Sequence, residues 1–184
     1  MRIEYIPLDK KVYLLEVDDV LFPKSDYDLQ VYYLFANFME FQTGSLSASD
    51  LAAFMKRVYE NQGHEFVFDR LKETFGIEEK YRENLLRLNV NAQLPLKLLL
   101  FKEVEELIVR LFAQNKQVAI LTKGNPVEQL NKIKHIDWGE AKRFKNFLKV
   151  FFVDELKFRS LEPIDYIAKD YGVTPGDLYC IEPD

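Results

Sequence analysis

Cysteine is nearly absent: Cys180 is the single one in 184 residues. An intrachain disulfide framework is therefore excluded, and a cysteine-based zinc site is disfavoured. Long apolar runs are missing too. The most apolar stretch, residues 94–101, is short and broken by Pro95 and Lys97, far from the roughly 20 residues that span a bilayer. Residues 1–11 carry charge where a secretory leader needs an apolar segment. Positive charge is in deficit, with 25 Lys and Arg against 30 Asp and Glu and a net charge of -5. Polyanion affinity rests on clustered cations, so general nucleic-acid binding is not expected. The two histidines, His64 and His135, are isolated, which favours a surface or capping role over metal ligation. These absences fit a reducing, cytoplasmic setting with neither a membrane nor a nucleic-acid partner. They leave the oligomeric state open.

What is present is apolar: 48% of residues are hydrophobic and 14% aromatic. That excludes intrinsic disorder and supplies one cored domain, or a core with a small accessory domain. Residues 11–17, KVYLLEV, read as a buried strand running into Asp18 and Asp19, and Pro23 cannot continue it. Residues 25–90 change character. Leu29, Tyr32, Tyr33 and Ala36 follow helical spacing, as do Leu51, Phe54, Met55, Val58 and Tyr59. Ser47 to Asp50 resembles a capping box, and Gly63 and Gly76 read as stops. From Leu98 onward helix and strand alternate. Phe101, Val104, Leu107, Ile108, Leu111 and Phe112 share a helix face. QVAILT (117–122) reads as a second strand, and Asn125-Pro126 open a helix with an apolar stripe of Val127, Leu130 and Ile133. Strands at 149–153 and 178–181 flank a helix at 163–171. The pattern predicts an α/β fold, a Rossmann-like parallel sheet with helices on its faces.

Two strand ends then matter, because in a parallel sheet both lie on one edge. The first delivers Glu16, Asp18 and Asp19, oxygen donors suited to a divalent cation. The second delivers Thr122, Lys123 and Gly124 ahead of a helix N-terminus, a set suited to an oxyanion. The plainer alternative is that the carboxylates are solvated and Thr122 caps a helix.

LLEVDDVLFP (14–23), AILTKGN (119–125) and the helical block inserted between them resemble the haloacid dehalogenase superfamily, over most of the chain. The resemblance implies that 1–23 and 98–184 form an α/β core and 24–97 a helical cap domain. It implies a magnesium-dependent phosphatase acting on a small phosphorylated metabolite. By position, Asp18 matches the general acid/base and Thr122 the phosphoryl binder. Glu16 stands where the family has its nucleophilic Asp. The extra methylene displaces the carboxylate by on the order of 1 Å, a misplacement that can cost about 100-fold in rate. Lys157 and Arg159 are the candidates for the charge-neutralising cation. Lys123 and Gly124 join Thr122 around the phosphate. Glu16, Asp18, Glu182 and Asp184 are the candidate magnesium ligands, with Glu182 and Pro183 standing where the family has Gly-Asp. The alternative reading is a catalytically inactive member that binds a phosphorylated ligand or a protein partner. Receiver domains also combine acidic residues, Thr and Lys, but Asp154 follows Thr122 in the wrong order for one. Cys180 reads as a small core residue within its strand. The basic and aromatic run at 142–149 reads as a solvated helix face. The aromatics of 25–90, among them Tyr32, Tyr33, Phe35 and Phe38, read mostly as packing.

Overall fold

The structure, a computed structural model, describes residues 6–183. The chain divides into two units, Met1–Lys24 with Lys97–Asp184, and Ser25–Leu96.

The first unit is an α/β layer structure. Strand β1 (Val12–Leu15) is wholly buried. The second unit supplies helices α1 (Lys24–Thr43, beginning at the junction), α2 (Ala48–Gln62), α3 (Val67–Phe75) and α4 (Arg82–Asn91). The chain then returns through β2 (Leu98–Leu99), α5 (Lys102–Ala113), β3 (Gln117–Thr122), α6 (Pro126–His135) and β4 (Ile136–Asp137). A 3-10 helix over Gly139–Phe147 leads to β5 (Lys149–Phe152), α7 (Val153–Phe158), α8 (Pro163–Tyr171) and β6 (Leu178–Ile181). β2 and β4 pair with each other in parallel, a short element that periodicity does not reveal.

The main sheet has the order β5-β3-β1-β6, all parallel. The chain builds outward from β1 through β3 to β5, then crosses back to lay β6 on the other side of β1. Such a reversal opens a crevice at the C-terminal ends of the strands, where open α/β sheets bind ligands. Val12, Leu14, Ala119 and Leu178 pack on Ile167 and Ala168 of α8. α5 packs against β3 and buries Val104, Leu107, Ile108 and Leu111.

Three sequence expectations are corrected in this unit. Cys180 is exposed, not core: β6 is an edge strand, and the α8 cluster that covers Leu178 does not extend to it. His135 is buried at the end of α6, its Nδ1 2.8 Å from the Asn131 carbonyl. The face of α6 is inverted: Val127 and Leu130 are about half exposed, while Gln129, Asn131, Lys132, Ile133 and His135 are buried.

The second unit is helical. α1 buries Tyr27, Asp28, Val31, Tyr32, Phe35, Ala36 and Met39, a stripe repeating at three- and four-residue steps. Ser47 caps α2 by accepting the Asp50 N–H, and the left-handed Gly76 ends α3. Tyr27 donates to the Asn89 carbonyl at 2.6 Å, tying α1 to α4. The Tyr32 hydroxyl lies 2.7 Å from His64 Nδ1.

Candidate functional site

β1 ends because its backbone turns over just after Leu15. Glu16 N–H still bonds the Ile181 carbonyl at 3.0 Å, but Leu21 N–H closes a turn onto the Val17 carbonyl. Asp19 takes a left-handed conformation (φ 59), accessible to a short polar side chain that can bond locally. Its Oδ1 accepts the Lys24 N–H at 2.8 Å, at the start of α1. Val20, Leu21 and Phe22 are fully buried beneath it. The apolar residues thus anchor a loop whose acidic neighbours are held at the sheet edge.

Glu16 is the centre of that edge. Only 8% of it is exposed. Its Oε1 accepts the Val17 N–H at 2.8 Å and the hydroxyl of the fully buried Thr122. Its Oε2 accepts the Lys123 N–H at 3.3 Å. Burial pushes the Glu16 carboxyl above the ordinary carboxylate range. The hydrogen bonds from Thr122, Val17 and Lys123 oppose that rise, and nearby Asp18 adds to it.

Asp18 faces a different partner. Lys132 Nζ lies 2.9 and 2.8 Å from its two carboxylate oxygens, and Gln129 Nε2 donates to it at 3.3 Å. Lys132 is fully buried and also pairs with Glu128 at 2.8 Å, one helical turn earlier. Burial alone would lower the Lys132 ammonium. The two carboxylates outweigh burial and hold it above the ordinary lysine value. Asn125 accepts the N–H groups of Val127 and Glu128, fixing the first turn of the helix that carries Gln129 and Lys132.

The structure therefore gathers Glu16, Asp18, Thr122 and the Lys123 backbone at one rim, adding Gln129 and Lys132. The cation at Asp18 is Lys132, not Lys157 or Arg159. Those two are exposed on and just after α7, and neither side chain makes a hydrogen bond or ion pair among the described residues. Gly124 does not offer its N–H to the cradle, because Asp154 Oδ2 accepts it at 2.7 Å. The Lys123 ammonium turns outward to Glu182 at 2.9 Å. Asp184 lies outside the described residues.

Magnesium, implied by the family resemblance, does not fit the residues as arranged. Both Asp18 oxygens are engaged by Lys132, both Glu16 oxygens accept hydrogen bonds, and Glu182 is paired with Lys123. Among the described residues no three Asp, Glu, His or Cys side chains converge on one point. What the rim does offer is a hydroxyl and an N–H converging on an oxyanion, with an ammonium–carboxylate pair beside them.

No protein-family model matches the sequence, and no curated protein does. Solved structures do match. A Thermotoga maritima protein assigned as a beta-phosphoglucomutase has a TM-score of 0.55 at 16% identity, over 92% of this chain and 74% of that one. A HAD family hydrolase from Deinococcus radiodurans, solved with bound phosphate and sodium, has a TM-score of 0.54 at 14% identity, over 97% and 74%. A haloacid dehalogenase-like hydrolase from Xanthomonas campestris has a TM-score of 0.51 at 15% identity, over 96% and 74%. This chain has the haloacid dehalogenase-like fold: a Rossmann-like parallel sheet flanked by helices. Among the described residues no helix is long and apolar enough to cross a membrane.

Proposed function

We propose that the rim formed by β1 and β3 binds the phosphoryl group of a small phosphorylated molecule, and that the wild-type chain is a binding rather than an efficiently hydrolysing member of the haloacid dehalogenase-like class. The observation that carries this reading is the grip of Thr122 and the Lys123 N–H on a carboxylate. Two donors aimed at one oxyanion at a strand end are what a phosphoryl oxygen requires. The phosphate held by the Deinococcus radiodurans neighbour supports the choice of ligand. Absence of efficient turnover follows from Glu16, whose carboxylate is committed to those donors. The test is thermal unfolding of wild type and Thr122→Val with inorganic phosphate and a panel of sugar and nucleoside monophosphates. A ligand-dependent rise in Tm that Thr122→Val abolishes is expected. No shift with any ligand would reject the reading.

A second reading, hydrolysis of phosphate esters, is favoured by the contact between Asp18 and Lys132, which holds a proton-transfer group and a cation together. Release of phosphate from the same panel, lost in Asp18→Asn, would establish it. Turnover unchanged in Asp18→Asn would not.

A further inference from the structure

Glu16 is a buried carboxylate with no ammonium in contact with it: the exposed Lys123 ammonium feels its charge but pairs with Glu182. Among the described residues it forms no ion pair, and its oxygens are held only by the Thr122 hydroxyl and the N–H groups of Val17 and Lys123. The nearest buried ammonium, that of Lys132, is spent on Asp18 and Glu128. Burying a carboxylate on neutral donors alone is unfavourable, so a fold that keeps one there needs a reason for it.

The geometry supplies one. β1 and β3 are parallel neighbours in the register Leu15↔Ile120, so the next position, 16, is level with Leu121, one residue before Thr122 at the end of β3. From there a Glu side chain reaches both donors of the cradle. An Asp, shorter by one C–C bond of about 1.5 Å, has less reach. We infer that Glu16 is an internal occupant of the oxyanion cradle, holding its own carboxylate where a tetrahedral oxyanion such as a phosphoryl group would otherwise sit. A ligand must displace that carboxylate, and the displaced charge stays within a few ångströms of the incoming anion, where like charges repel strongly. Affinity in the wild type is therefore held down by the protein's own side chain. The Lys132 ammonium cannot relieve this without releasing Asp18 and Glu128.

This inference rests on the phosphoryl-binding reading, and titration calorimetry separates the two. Inorganic phosphate is titrated into wild type, Glu16→Ala, Glu16→Asp and the double variant Glu16→Ala/Thr122→Val. Circular dichroism confirms folding of each. Should Glu16→Ala fold poorly, Glu16→Asp serves, since it keeps a carboxylate but shortens it. The expected result is binding to Glu16→Ala at least about tenfold tighter than to wild type, a difference of about 1.4 kcal/mol, with Glu16→Asp, which gives up reach but keeps the charge, falling between the two. The double variant should lose the gain. Equal affinity of wild type and both Glu16 variants overturns the internal occupant while leaving the phosphoryl site standing. Binding by the variants but not by wild type supports the occupant and overturns the proposed wild-type function. No binding by any variant overturns both.

Discussion

Lys132 is the buried cation of the rim. Its ammonium is fully buried between the side chains of Asp18 and Glu128, which keep 22% and 24% of their exposure. Removing one member of a buried ion pair strands the other, which costs about 3–5 kcal/mol when both are buried and less when solvent reaches the partner. Lys132→Met is thus expected to destabilise the chain by about 2–4 kcal/mol in urea unfolding. A loss below about 0.5 kcal/mol, the level of ordinary surface substitutions, would mean the pair contributes nothing. The same residue marks the limit of what the sequence discloses. Glu16, Asp18 and Thr122 are legible as a group because the first two directly follow β1 and the third ends β3, and parallel strand ends share an edge. Lys132 and Gln129 sit mid-helix, where a polar residue reads as solvent-facing. Only the inversion of α6, polar side in and Val127 and Leu130 out, brings them to the rim. Lys157 and Arg159 drew attention through their position before Glu162-Pro163, which says nothing about where α7 points them.

At the scale of elements, the site depends on how α6 starts. Asn125 accepts the N–H groups of Val127 and Glu128, and Gly124 ahead of it has φ +90, a conformation side chains rarely adopt. Asn125→Ala removes the cap and is expected to cost about 1 kcal/mol. It should also loosen the turn that follows Thr122 and Lys123, so the loss of phosphate affinity should exceed that of an exposed control such as Lys134→Ala on the same helix. The approach to β6 is held differently. Thr174 and Asp177 form a capping box, with Lys11 3.2 Å from the Asp177 carboxylate. Hydrogen bonds from Thr174, with Lys11 adding to them, hold that carboxyl at about 2, below its ordinary 3.8. A carboxyl lowered on folding contributes stability above its unfolded value, and that contribution is lost as pH falls through the folded value. The difference in Tm between wild type and Asp177→Asn should therefore be steady above about pH 5 and shrink as pH falls toward 2. A difference that grows on acidification would contradict the capping role. The strands at 117–122 and 178–181 and the helix at 163–171 are fully legible, because each is a short apolar run or stripe bounded by turn residues. The two-residue strands β2 and β4 are not, since nothing so short carries a period.

At the scale of the molecule, the chain divides into two compact units. The helical unit closes on itself through the buried stripe of α1 and the Tyr27–Asn89 bond, and the α/β unit through the sheet and its flanking helices. The two junctions between them are unequal. At the first, Lys24 already begins α1, and its N–H is held by Asp19. At the second, residues 92–97 form no helix or strand, Leu96 is 69% exposed and Lys97 is exposed. Proteases cut where backbone is exposed and can open locally without unfolding a core. Limited trypsin digestion should therefore cut first after Lys97, giving fragments 1–97 and 98–184, before any of the lysines and arginines within α2, α3 and α4 is attacked. Mass spectrometry of the earliest products checks this. First cuts inside those helices would show that the helical unit opens more readily than the connection does, and would overturn this prediction.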